Sequence, residues 1–147
     1  MQCTTVCVEL QQLSQLLTTN MNTRNYIFQI QNAIYNTIHS GNFGVEIILN
    51  RGISVPYQHI IIVGTKKMTQ ENLQTSCTTE IQLNTKDVSL LNTVQMLTNI
   101  EEILTSQNIR ENLNFYSLQF CEILSCEVTT SEDGHFCGKI FLRTLMD

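Results

Sequence analysis

HIIIVGTKK, residues His59–Lys67, decides how the rest of the chain is read. Ile60, Ile61, Ile62 and Val63 are β-branched in succession, and branching at Cβ favours extended backbone over helix. A short continuous apolar run of this kind fits a strand buried in a sheet. Gly64 marks the expected exit of that strand, and Lys66 and Lys67 keep the end in solvent, where they offer a small contact to an anion. The competing reading is a phosphate loop. A Walker loop needs G-x-x-x-x-G-K followed by Ser or Thr, and a dinucleotide fingerprint needs three spaced glycines. Here Gly64 stands alone before the lysines, so the stretch reads as a strand.

Working outward, VEIILN (45–50) and TEIQLN (79–84) are further strands, separated from His59–Val63 by RGISVPYQ and by polar residues. Gly52 and Pro56 mark the first of these connections as a loop or wide hairpin. YSLQFCEILSCEV and FCGKIFLR flank Asp133–Gly134, a strong turn signal, and predict a C-terminal β-hairpin. Upstream, Leu10, Leu13, Leu16 and Leu17 recur at helical spacing over Val8–Met21. NMNT breaks that helix, with Asn22 or Thr23 able to cap the next. Tyr26, Ile27, Ile30, Ala33, Ile34 and Ile38 carry the second helix, which SGNFG at Ser40 ends. A long central helix is expected from about Thr85 or Asp87, capped by Asn84 or Thr85. Its apolar stripe holds Leu90, Leu91, Val94, Leu97, Ile100, Ile103 and Leu104. Gln107–Asn114 is ambiguous. Helices and strands segregate in runs, so the expected fold class is α+β rather than doubly wound. It is a single compact domain over residues 1–147, with two N-terminal helices, a mainly antiparallel sheet of about five strands, one long central helix and the C-terminal hairpin.

Charge narrows the function classes. Hydrophobic residues make up 42% of the 147 residues, enough for a real core, whereas charged residues make up only 14%. The formal net charge is −5 and the basic residues do not cluster beyond Lys66–Lys67, which disfavours nucleic acid as a partner. No apolar run reaches membrane-spanning length and no basic region precedes the apolar N-terminal positions. An intracellular location, cytoplasmic or nuclear, is expected. Abundant Asn, Ile and Thr beside few lysines suit an AT-rich coding genome such as some viruses have, and with it a viral accessory protein.

The run Val63-Gly64-Thr65-Lys66 resembles the guanine-specificity strand of small GTPases of the Rho type, V-G-T-K-x-D. In that family the lysine lies along the base and the aspartate pairs with its edge. The aspartate position holds Met68 here, and neither a phosphate loop nor D-x-x-G accompanies it. The resemblance spans about six residues and implies no nucleotide site.

Other chemistry is sparse. Cys3, Cys7, Cys77, Cys121, Cys126 and Cys137 make an even count that permits disulfides, but a chain of this length needs no staples, and reduced thiols serving as small hydrophobes are expected. Cys126, His135 and Cys137 are conceivable metal ligands across the hairpin, yet no fourth ligand accompanies them. Cys121, Cys126, Cys137 and His135 gather near the same hairpin, where His135 and Cys137, two apart, share a strand face and suggest a Cys–His dyad. The turn-flanking His135 and the carboxylates of Glu101, Glu102, Glu122 and Glu127 read as solvated groups, His39 is explained by the dipole at its helix C-terminus, and His59 before a strand needs no special account. Phe115, Tyr116, Phe120, Phe136 and Phe141 read as core. No catalytic, metal or cofactor-binding residue is assigned, and no cofactor is expected.

The leading reading is a non-catalytic protein–protein interaction or adaptor module, with a protein partner or a homodimer across the long helix at Leu97, Ile100 and Leu104. Low charge density supports it, because interfaces are depleted of charge at their centres. The alternatives are a small enzyme with a Cys–His site near the C-terminal hairpin, and a structural assembly subunit.

Overall fold

The computed structural model describes residues 25–49, 58–71, 74–85, 89–113, 118–130 and 132–147. Within them α1 (Asn25–Ser40) precedes β1 (Glu46–Leu49), β2 (His59–Glu71) and β3 (Gln74–Asn84). Next come α2 (Leu90–Ile103) and α3 (Ser106–Glu111), then β4 (Leu118–Thr130) and β5 (Phe136–Met146). The five strands form one sheet in the order β1-β2-β3-β5-β4. β1 runs parallel to β2 and the other pairings are antiparallel, so the sheet is mixed. The α+β class holds. The expected pair of N-terminal helices is corrected to one. Only α1 precedes the sheet among the described residues; Val8–Met21, Asn22 and Thr23 lie outside them, as does the loop with Gly52 and Pro56.

β2 overturns the expected strand exit at Gly64. It runs on to Glu71, and Gly64 lies at a register shift after Ile62 rather than in a loop. Two neighbours hold the extension. β3 continues antiparallel beside it, and the hydroxyls of Thr65 and Thr79 lie 2.8 Å apart across the pair. The strand is long because its partner is long, which the apolar run alone does not reveal.

α1 turns Tyr26, Ile30, Ala33, Ile34 and Ile38 into the core, a helical spacing that sets them on Ile60, Ile62, Ile81 and Leu83 of the sheet. Thr37, also buried, returns its hydroxyl to the Ala33 carbonyl at 2.7 Å. The helix stops at Gly41, where a Cβ would come within 2.5 Å of the Phe43 ring.

α2 begins later than its periodicity predicts. Ser89 is the N-cap, accepting from the Asn92 amide at 3.4 Å, so Asn84 and Thr85 do not cap it. Thr85 instead donates to the Phe136 carbonyl at 2.9 Å. Thr93, Leu97 and Ile100 are the buried residues of the helix, with Leu104 buried just past its end. The helix approaches β5 closely at Gly138, where a Cβ would meet Leu97 at 2.8 Å. The ambiguous Gln107–Asn114 stretch contributes the short α3, capped by Thr105. Its Arg110 donates to the Leu118 and Gln119 carbonyls at 3.1 and 3.0 Å, which ties the start of edge strand β4.

Candidate functional site: the uncovered face of the sheet

All three helices meet the same face of the sheet. α1 lies on β1 and β2, α2 on β5 and α3 on β4, and their buried residues join Ile81, Ile140 and Leu142 in one cluster. Alternation along a strand sends every other side chain to the opposite face. On β3 these are Thr78, Glu80, Gln82 and Asn84; on β5 they are Cys137, Lys139, Phe141 and Arg143, and all are half-buried rather than buried. Among the described residues no helix covers that second face.

The open face is dished by irregularities in the flanking strands. Register shifts between Ile62 and Gly64, between Lys67 and Thr69, and between Ile123 and Ser125 each insert one extra residue: Val63, Met68 and Leu124. A bulge bends its strand and re-aims a side chain. These three residues line one groove of about 640 Å³, with Phe141, Lys66 and Glu80 among their companions, whereas a fourth insertion, Gln119 between Leu118 and Phe120, lies outside it. Met68 and Leu124 are 54% and 51% exposed, so the groove presents apolar surface to solvent. Phe120 and Phe141, expected in the core, also belong to this face, because they pair in register with Leu145 and Ser125 on the side away from the helices.

A polar network occupies the end of the face near the hairpin. His59, Asn84 and Cys137 align across β2, β3 and β5. Asn84 Nδ2 lies 2.9 Å from His59 Nε2, and Gln82 Nε2 donates to Asn84 Oδ1 at 3.0 Å and to Cys137 Sγ at 3.1 Å. The carboxamide of Asn84 therefore stands between thiol and imidazole, and an amide is no general base. Cys121 and Cys126 pair with Thr144 and Ile140 on the helix side of the sheet, whereas Cys137 is on the other side. Strand alternation parts Cys121 and Cys126 from Cys137, so the expected Cys–His gathering does not assemble as a whole, and His135 lies just ahead of β5 rather than on a strand face with Cys137. The same alternation separates Cys126 from Cys137 as metal ligands, and no group of metal-binding side chains occurs among the described residues.

The thiol environments run against nucleophilic use. The described cysteines Cys77, Cys121, Cys126 and Cys137 are free. Burial pushes Cys77 up to about 11, with Lys67 opposing weakly. Burial also raises Cys121, against a Ser106 hydrogen bond and the charge of Arg110. Cys126 is pushed up to about 12 by desolvation, then by its hydrogen bond to Glu101 and the charges of Glu101 and Glu127. A reactive cysteine needs the opposite, an electropositive setting that favours thiolate.

A second cleft, of about 700 Å³, lies between the Gly41–Phe43 turn and α2, lined by Asn92, Gln95, Asn99 and Asn108 among others. Several of its amides are committed within the chain: Gln95 donates to Asn99, and Asn108 to the Ile103 carbonyl. It holds no nucleophile beside a base.

Leu97, Ile100 and Leu104, the expected interface, are 3%, 0% and 3% exposed and serve the core. The stripe was wider than its buried half, and the residues left at the surface are Leu90, Leu91 and Val94. The open sheet face went unrecognised in the sequence. Its one signal was FCGKIFLR, where Lys139 and Arg143 bracket Phe141 at strand spacing.

No helix among the described residues is long and apolar enough to cross a membrane. Compared with models of protein families and with curated proteins, the chain matches none.

Proposed function

We propose that the chain is a non-catalytic protein–protein interaction module that takes its partner on the uncovered sheet face. One observation carries this reading: three of the four residues inserted by bulges among the described residues, Val63, Met68 and Leu124, converge with Phe141 on one solvent-open apolar groove. Irregular strand geometry costs ladder hydrogen bonds, and bulges concentrate next to functional surfaces. The rim fits the same use, since Lys66 and Glu80 border the groove and supply orientation while the apolar floor supplies contact area. An adaptor of this kind suits a viral accessory protein and an intracellular setting equally. The thiols held in their neutral form favour the binding reading over a cysteine enzyme.

Site-specific photo-cross-linking tests the reading. A photoreactive residue at position 124 is expected to give one discrete, saturable adduct in cells producing the protein, and Phe141→Ala is expected to abolish it. The same group at Glu111, exposed on α3, gives none. No adduct at 124, or an equal one at 111, overturns the proposal.

A further inference from the structure

We propose that the occupant of this face is a second copy of the chain, stacked sheet on sheet about a twofold axis parallel to the strands. This rests on the interaction reading above and names its partner. Cross-strand register carries it. Lys66, Thr78, Arg143 and Glu122 form one row across β2, β3, β5 and β4. The row begins with a cation at one margin and ends with an anion at the other. A twofold axis along the strands, passing between β3 and β5, exchanges the two margins and keeps each row at its own height. It sets Lys66 of either copy over Glu122 of the other, so the interface is self-complementary, as an isologous contact must be. Lys66 is exposed and makes no ion pair among the described residues, whereas Glu122 already pairs with Arg143 of its own chain at 3.0 Å and would be shared with the incoming lysine.

The adjacent row suits the same geometry. It contains Gly64, Glu80, Phe141 and Ser125. The small Gly64 and Ser125 occupy its margins, and the axis, passing between Glu80 and Phe141, sets each copy's Phe141 ring over the other copy's Glu80. Leu124 of each copy comes over the β2 margin of the other, where Val63 and Met68 stand. The size is adequate. Four strands about 4.8 Å apart and about nine residues long present roughly 600 Å² per copy. Together they bury about 1,200 Å², the lower end of the range for specific interfaces. The exposed Leu90, Leu91 and Val94 on α2 lack any such charge pattern.

Sedimentation of the full chain from about 1 to 100 µM covers the range in which an interface of this size associates. The expected mass doubles from 16.8 kDa with rising concentration. Lys66→Glu and Glu122→Lys each set like charges against one another and weaken association about tenfold or more. Mixed one to one, the two variants match opposite charges at both contacts and recover the dimer. Both positions are exposed, and unchanged thermal unfolding of the monomers confirms that each variant folds. A wild type that stays at the one-chain mass throughout overturns the proposal, and so does a mixture that fails to recover. The photo-cross-link at position 124 separates the two readings. An adduct of another mass, with a monomeric wild type, overturns the second copy and leaves the interaction module standing. No adduct overturns both.

Discussion

The two faces of this sheet are made by the same strands, yet they obey different rules. Along β5 the helix side carries Gly138, Ile140, Leu142, Thr144 and Met146, and the other side carries Cys137, Lys139, Phe141, Arg143 and Leu145. The helix side is filled without charge, and its narrow point, Gly138 against Leu97, shows that volume is the constraint there. The open side alternates charge with large apolar groups, and the flanking strands tolerate four inserted residues. One face is shaped to be closed by its own chain. The other is left uncovered by helices among the described residues.

The largest way to break this contrast is to place a charge on the closed face. Leu97→Asp buries a carboxylate against Gly138 with no cation beside it, and the expected outcome is loss of cooperative unfolding at 25 °C, read by circular dichroism. A variant that stays folded would mean that α2 is not fixed to the sheet as described. Next in size is a matched pair of truncations on adjacent residues. Ile140→Ala on the helix side is expected to cost about 3 kcal/mol, from lost transfer energy plus a cavity. Phe141→Ala on the open side is expected to cost less than Ile140→Ala in the monomer, because Phe141 is only half-buried. Denaturant midpoints of the two variants check the pair, and equal losses would erase the distinction between the faces.

How much of this was legible in the sequence depended on whether a residue's role is local. The β-branched run at Ile60–Val63, the helix at Tyr26–Ile38 and the Asp133–Gly134 turn each announce themselves, because propensity and turn chemistry act within a few residues. Three features did not, each for a physical reason. The continuation of β2 past Gly64 depends on β3 lying alongside. The choice between Leu97, Ile100, Leu104 and Leu90, Leu91, Val94 depends on which side of a broad stripe meets the sheet, and periodicity gives a stripe without a direction. The groove depends on Val63, Met68 and Leu124 being out of register, and a bulge exists only relative to a neighbouring strand. Ser89 was a missed local signal, a serine directly ahead of an apolar run.

Titration sharpens the contrast from within the closed face. Cys77 has no exposed surface, and burial pushes its thiol from the ordinary 9.0 up to about 11. The unfolded chain loses this proton from about pH 9, while the folded chain keeps it until about pH 11. The unfolded state therefore binds fewer protons in that window, and stability falls as pH rises through it, by at most about 1.4 kcal/mol per pH unit for this group. The contribution is fully present below the window and the fall levels off above it. Cys121, raised by burial as well, acts with the same sign. Urea midpoints measured across the window are expected to fall less steeply in Cys77→Ala than in the wild type, and parallel slopes would remove Cys77 from the account.

The smallest expected effect belongs to the ion pair of the open face. Arg143 Nη1 lies 3.0 Å from Glu122 Oε1, with both side chains more than a third exposed. Such a pair in water gains little, because solvent screens its charges and both long side chains lose freedom in forming it. Arg143 is held independently: its Nε donates to Ser76 Oγ at 3.0 Å, and its guanidinium lies 5.7 Å from the centre of the Phe120 ring. Removing the carboxylate charge thus leaves the arginine where it is. Glu122→Gln is expected to change monomer stability by under about 0.5 kcal/mol, with little dependence on salt. Urea unfolding at low protein concentration, in low and high salt, measures it without a contribution from association. A loss several times larger would mean that Glu122 holds the open face together from inside the chain, and its charge would then be spent before any partner arrived. A negligible loss in the monomer beside a clear loss of association would assign the residue to the surface between molecules, as the proposed pairing of Lys66 with Glu122 requires.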